Sequence, residues 1–376
     1  MKRVLMVSCD GLGNGGIQQV MMNIVRSLSH EFNFDMLLFT NDVRYFDTEF
    51  QQYGKIFRIP HYSGFWKWRK KLDYYIRFCR IYHGVKRILQ TNGPYDVIHC
   101  HNYFEAAPCL MAAAHCGVPV RISHSHSSMP RSHIVAGGYH FVLRLLLNRY
   151  ATCQVGCSQL ACNYLFGKGE KALNLPNAID LKRFDITRYP NQKKKHSFVH
   201  VGRLCALKNQ LFILNVFAQV QKRWPDSSLT LVGKSEGNYQ EILFKTIVKL
   251  HLKSVKFLPH DTDVPALLAQ SEYMIFPSIF EGFGLVLAEA QVMKVKCFAS
   301  DTIPLEADLG WCQYLSLKLS IDKWTQEIFK TENQSLQAPD TDKVSLQHYI
   351  AQIRAIYDKT HKIVLEKELC NGNKIY

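Results

Sequence analysis

The 376-residue chain reads as an α/β protein of two Rossmann-like, doubly wound domains set in tandem across a cleft. Three observations predict this. Short aliphatic runs of strand length alternate with stretches of helical length, the alternation stops between residues 175 and 195, and a second series of runs then begins. The length agrees, since it exceeds what one hydrophobic core usually serves.

In chain order, "RVLMVS" (3–8) precedes the glycine-rich "GLGNGG" (11–16) and a helical pattern from Ile17 to Leu28. "FDMLLFT" (34–40), "DVIHC" (96–100), "VRISH" (120–124) and "CQVGCS" (153–158) are the next strands, with helical stretches at 104–115 and 133–150. This is the rhythm of a parallel sheet covered on both faces. "LPNAIDLKRFDITRYPNQKKK" (175–195), with its prolines and lysine run, reads as an interdomain connection. After it come "SFVHVG" (197–202), "LTLVG" (229–233), "VKFLP" (255–259), "YMIFP" (273–277) and "KCFAS" (296–300), each expected to lead into a helix. The expected domains are therefore residues 1–175 and 196–341, joined by 176–195, with a helical pattern over 342–367. Ligands in such folds sit outside the carboxyl ends of the strands, so loops there carry the motifs worth reading.

With 47% hydrophobic and 20% charged residues the chain has a globular composition, and no apolar run approaches the length of a membrane span. The apolar run in "MKRVLMVSCDGLG" is too short for a secretory signal, and a cytoplasmic location is expected. The 12 cysteines lack the paired spacing of a zinc ribbon and read as reduced thiols. A net charge of +15 favours an anionic partner. Much local basic density lies in "FWKWRKKLDYYIRFCRIYHGVKRIL" (65–89), where aromatics interleave with lysine and arginine as in a segment lying at a membrane interface. A surface helix packed by one face on a sheet is the plainer reading of the same residues.

The loop from Gly11 to Gly16 satisfies G-x-G-x-x-G, which brings backbone amides close to a phosphate at a helix N-terminus. A nicotinamide-dependent oxidoreductase or epimerase would use it, with Asp42 near the place of a ribose-binding acid and Tyr164 and Lys168 as a catalytic pair. Gly167 inside that pair argues against an ordered helix face. His99 and His101 end one strand, and His124 and His126 end another; side chains two apart on a strand share a face. Imidazoles suit zinc or iron, yet no carboxylate triad or H-E-x-x-H accompanies them, and no metal site is expected. One or two of the four are expected to line the cleft.

In the second domain, "HVGRLCALKNQ" places Arg203 and Lys208 just after a strand, at the expected start of a helix, as a clamp for an anionic diphosphate. "FEGFGLVLAEA" (280–290) sets Glu281 and Glu289 in a run otherwise apolar or glycine. Carboxylates are rarely buried unless paired, so a polar ligand between them is the functional reading.

Together the glycine loop, "HSHSS", "LPNAIDLKRF", Arg203 with Lys208, and Glu281-x7-Glu289 resemble the glycosyltransferase 4 family, whose members are retaining, nucleotide-sugar-dependent enzymes of the GT-B fold. The likeness runs along the whole chain and is strongest toward bacterial capsular and exopolysaccharide transferases. It implies transfer of a hexosyl or N-acetylhexosaminyl unit, with UDP as the expected nucleotide, to a glycan or polyprenyl-diphosphate-linked acceptor at the inner face of the membrane. No cofactor or metal is then needed. The resemblance further implies that Arg203 and Lys208 neutralise the diphosphate, that Glu281 binds sugar hydroxyls, and that Glu289 accepts from the ribose. Gly16 would leave room for phosphates and acceptor, Gly282, Phe283, Gly284 and Leu285 would bring the next helix N-terminus to the phosphates, and His126 or His124 would sit near the reacting carbon. It also implies that 342–376 crosses back to the first domain. A nucleotide-sugar-binding protein without turnover would keep these residues and lack only the chemistry.

Overall fold

The computed structural model describes residues 1–60, 70–127, 134–169, 171–189, 193–332, 334 and 337–358. Residues 65–69 of the basic stretch and 359–376 of the C-terminal pattern lie outside these. The first half runs β1 (Lys2–Ser8), α1 (Gly16–Leu28), β2 (Phe32–Leu38), α2 (Asp47–Phe50), β3 (Ile56–Arg58), α3 (Lys70–Asn92), β4 (Val97–Cys100), α4 (Ala106–His115), β5 (Val120–Ser125), α5 (Ile134–Tyr150), β6 (Cys153–Gly156), α6 (Gln159–Phe166) and β7 (Leu173–Asn174). The second runs β8 (Ser197–Val201), α7 (Gln210–Arg223), β9 (Ser228–Val232), α8 (Tyr239–Lys249), β10 (Val255–Leu258), α9 (Val264–Gln270), β11 (Tyr273–Phe276), α10 (Leu285–Val292), β12 (Lys296–Ser300), β13 (Cys312–Leu315), α11 (Ile321–Lys330) and α12 (Leu346–Asp358).

Two all-parallel sheets result, seven strands in the order β3-β2-β1-β4-β5-β6-β7 and six in the order β10-β9-β8-β11-β12-β13. In each the order reverses once, between β1 and β4 and between β8 and β11. The loops leaving those four strands therefore diverge and open a crevice, and they are the loops that carry the motifs. Strands β1, β4, β8 and β11 are buried almost throughout, because helices cover both faces.

Three departures from the sequence reading have local causes. The short edge strands β3, β7 and β13 carry too few apolar residues to announce themselves. "KCFAS" leads into a three-residue 3-10 turn (Leu305–Ala307) and β13 rather than an α-helix. Lys208 closes another 3-10 turn before α7, because Asn209 adopts a left-handed conformation with φ 58° and separates the two. Tyr164 and Lys168 share no helical face: α6 ends at Phe166, and Gly167 follows at φ 108°. Among the described residues the cysteines are free thiols, and no helix is long and apolar enough to cross a membrane.

α12 packs against the first sheet. Its Tyr349, Ile353, Ile356 and Tyr357 join Val4, Met6, Phe32 and Phe34 in one apolar cluster, and Lys2 Nζ donates to the carbonyl of Tyr357 at 3.2 Å. Where the chain crosses between the sheets, Ile179 N donates to Val344 O at 2.9 Å, so the outgoing and returning segments are bridged. Across the cleft, Ser158 Oγ donates to Gly282 O at 2.7 Å, and Glu306 Oε1 accepts from Gln159 N at 2.7 Å and Asn174 Nδ2 at 2.9 Å. A β-carbon on Gly282 would lie 2.0 Å from the His126 carbonyl oxygen. The approach of the domains here requires glycine.

Gly282→Ala is expected to leave each domain folded, with a melting shift under about 3 °C, while holding the cleft wider. Small-angle X-ray scattering should report a larger radius of gyration than wild type, and an unchanged value would contradict this contact.

Candidate active site

The second domain's half of the site is built on β8 and β11. After β8 the chain turns through Gly202 and Arg203, and the buried Gln210 fixes that turn: its Nε2 donates to Arg203 O at 2.8 Å, and its Oε1 accepts from Cys205 N at 3.3 Å. Asn209 Nδ2 donates to Pro277 O at 3.3 Å, and Ile279 N to Leu207 O at 2.9 Å, so the two motif loops are hydrogen-bonded to each other. Lys208 thereby reaches Glu281 and forms an ion pair with it, both side chains mostly withdrawn from water. Arg203 is exposed at the rim. Beneath Lys208 lies His200, fully buried and hydrogen-bonded to Ile275 O at 3.1 Å; burial pushes its imidazole down to about 4, so it stays neutral beside the lysine.

Gly284, at φ 95°, caps the N-terminus of α10, a conformation that favours glycine. Phe283 is buried in the core, and Leu285 faces the first domain, 3.8 Å from where a β-carbon on Gly16 would lie. That is ordinary contact, so protein packing alone does not demand glycine at 16. Glu289, one turn further along α10, lines a cavity of about 40 Å³ with Gln19, Asn23 and Arg183. Desolvation pushes its carboxyl up to about 8, against the pull of Arg183. Arg183, in the interdomain connection, and Gln210 were not legible as site residues from spacing, although both stand inside motifs that were.

The first domain contributes the histidines. His99 and His124 are fully enclosed, His101 nearly so, and His126 is half-buried at the end of β5. His99 Nε2 lies 3.2 Å from His124 Nδ1, and His101 Nδ1 lies 2.8 Å from His126 Nε2. Burial, and for the inner three the neighbouring imidazoles, hold all four below the ordinary histidine range, with His126 down to about 3. One nitrogen from each of His99, His101 and His124 lies within 4.8 Å of the others, the grouping a metal would need. The near-coplanar pairing of the rings, 3° for His99 with His124 and 16° for His101 with His126, is that of hydrogen-bonded imidazoles.

The structure thus brings Glu281, Lys208, Gly282 and His126 to one place, where the two halves touch. Glu289 and Gly16 stand to one side of it, and Arg203 at the edge. A cavity of about 570 Å³ lies elsewhere, between α7, the end of α8 and α11, toward the amino ends of the strands.

Residues 14–183 match the model of Glycosyltransferase Family 4, and residues 182–309 that of Glycosyl transferases group 1. The chain is a glycosyltransferase that carries a Family 4 domain followed by a group 1 domain. EpsF of Bacillus subtilis is 29% identical over 353 residues, covering 87% of each chain. CapH of Staphylococcus aureus, named as a capsular polysaccharide biosynthesis glycosyltransferase, is 24% identical over 287 residues, 74% of this chain and 76% of that one. The crystal structure of Anabaena HepE in complex with UDP and glucose superposes with a TM-score of 0.70 at 20% identity, over 95% of this chain and 97% of that one. The fold is the GT-B arrangement that this glycosyltransferase shares with such neighbours.

The raised pKa of Glu289 has a measurable consequence. Its folded-state value of about 8 lies above that of an unfolded carboxyl, so the native transferase binds more protons between roughly pH 4.5 and 8 and loses stability as pH rises through that window. Glu289→Gln should match wild type near pH 4 and melt a few degrees higher at pH 8.5. Parallel melting curves across that range would show that the carboxyl is not desolvated.

Proposed function

We propose that this glycosyltransferase moves a hexosyl or N-acetylhexosaminyl unit, with retention, from a UDP-sugar to a polyprenyl-diphosphate-linked glycan in cell-surface polysaccharide synthesis. The observation that carries this reading is the juxtaposition across the cleft: the Lys208–Glu281 pair and the glycine loop before α10 on one side, His126 on the other. Cleaving the bond from the anomeric carbon to phosphate oxygen leaves negative charge on the diphosphate and positive charge on the sugar.

Residues 196–341 would bind the donor and residues 1–175 the acceptor. Lys208 and Arg203 neutralise the diphosphate without a divalent ion, Lys208 as a point charge and Arg203 by its fork. Gly282 and Gly284 let the phosphates approach the amides that open α10, where the helix dipole favours negative charge. Lys208 leaves Glu281 for the phosphate, and Glu281 turns to sugar hydroxyls. Glu289 gives up its proton and accepts from the ribose. As the anomeric carbon forms its bond to the acceptor oxygen on the face the phosphate leaves, the acceptor's proton passes to the departing phosphate oxygen. No protein nucleophile takes part. His126, neutral because desolvated, contacts the donor sugar near the reacting carbon; the fully buried His124, one layer below, acts through it.

The acceptor's lipid places the enzyme at the cytoplasmic face of an anionic membrane. Tyr75 and Ile76 on α3 and Phe141, Val142 and Leu145 on α5 are exposed, on helices that meet where Tyr74 stacks on Tyr139 with ring centroids 4.7 Å apart. Arg80, Arg87 and Arg149 are exposed on the same two helices. Apolar side chains ringed by arginine suit a surface of anionic lipid.

Two experiments test these readings. Glu289→Ala should weaken UDP binding at least tenfold (about 1.4 kcal/mol), whereas Glu281→Ala should lower kcat by about a hundredfold with binding nearly intact; negligible effects of both would overturn the site. Sedimentation with phosphatidylglycerol vesicles should capture the protein at low salt, and Phe141→Asp with Leu145→Asp should halve that capture or more. Equal partition between buffer and vesicles at low salt would remove the membrane contact.

A further inference from the structure

We propose that Tyr357, carried on α12, is a positioning residue that anchors a two-tier imidazole ladder ending at His126; the inference rests on His126 being the group nearest the reacting sugar. Tyr357 is fully enclosed, and its Oη lies 2.8 Å from His99 Nδ1. His99 passes the contact to His124, Nε2 to Nδ1, at 3.2 Å. Above this tier lies the second, His101 with His126 at 2.8 Å. The tiers stack, with ring centroids 4.1 Å apart for His99 and His101 and 4.2 Å for His124 and His126.

A pair of neutral imidazoles can hold its bridging proton either way round, and each choice reverses which outer nitrogen bears hydrogen. Tyr357 removes that freedom in the lower tier. Its hydroxyl has two acceptors in reach, His99 Nδ1 at 2.8 Å and Met6 Sδ at 3.5 Å, and the nitrogen is the stronger. With the phenol donating into Nδ1, His99 carries its proton on Nε2 and donates to His124 Nδ1. His124 then bears its hydrogen on Nε2, away from His99.

His124 Nε2, His101 Nε2 and His126 Nδ1 are all buried without a hydrogen-bond partner. Each of the three nitrogens has hydrogen-bonding capacity that protein packing leaves unused. Phe32 stands edge-on to Tyr357 at 5.3 Å and packs the phenol ring within the core beside His99. Because α12 returns from the second domain, the ladder ties the cleft histidine to the docking of that helix.

Tyr357→Phe removes the hydroxyl and keeps the ring. Ring-nitrogen NMR of the ligand-free protein should show His99 and His124 in single tautomers in wild type and shifted or averaged in the variant. In steady-state transfer the variant should lose about tenfold in kcat, keep the donor KM within about twofold, and melt within about 3 °C of wild type. His99→Gln, which can still accept from the phenol and donate to His124, should retain more activity than His99→Leu.

Unchanged imidazole signals in Tyr357→Phe would overturn the proposal whatever the enzyme transfers. So would an unchanged kcat in a protein whose His126→Ala variant is inactive, or a stoichiometric metal ion bound by the histidines of the purified wild type. If His126→Ala transfers normally, the role given to His126 fails, and the nitrogen signals alone decide the ladder.

Discussion

The contact on which the cleft depends is the approach of Gly282 to the main chain at His126. The carbonyl of Gly282 accepts from Ser158 Oγ, while its missing side chain leaves space for the carbonyl of His126. One glycine therefore joins the loop between β11 and α10 of the second domain to the histidine strand of the first. Its neighbours inherit their positions from it. Glu281 immediately before it meets Lys208, Gly284 just after it opens α10, and Glu289 follows on that helix. A carboxylate on the 3-10 turn after β12, Glu306, closes the same contact from the other side by accepting from the first amide of α6.

Charges in this cleft are kept where apolar residues surround them, and each is handled differently. Lys208 and Glu281 neutralise one another. Glu289, with Arg183 acting only across a small cavity, keeps its proton instead. The four histidines stay neutral because no carboxylate among the described residues pairs with them and the protein excludes water. The nucleotide sugar proposed above would offer donors to the glutamates and charge to the lysine.

Much of this was legible before any coordinates. Strands buried on both faces must be continuously apolar, which is why "RVLMVS", "SFVHVG" and "YMIFP" could be read as strands of two parallel sheets. Glu281 and Glu289 were legible because carboxylates in an apolar run are costly without a partner. The short edge strands β3 and β13 escaped notice for the opposite reason, as did the 3-10 turn that keeps Lys208 out of α7, where a single left-handed asparagine decides the backbone. Arg183 and Gln210 escaped because a cavity wall and a loop clamp have no spacing of their own.

By itself, the sequence determined the two sheets and the residue types delivered to their strand ends, because these follow from periodicity and from the cost of burying charge. Only the tertiary structure decided which histidine meets the cleft. His124 and His126 stand two apart on one strand, chemically alike and on the same face. What separates them is what lies against them: His124 is roofed by its stacked neighbour and held by His99, itself held by Tyr357 from the far end of the chain, while His126 is left at the rim. Burial depends on elements distant in sequence, and no local pattern encodes it.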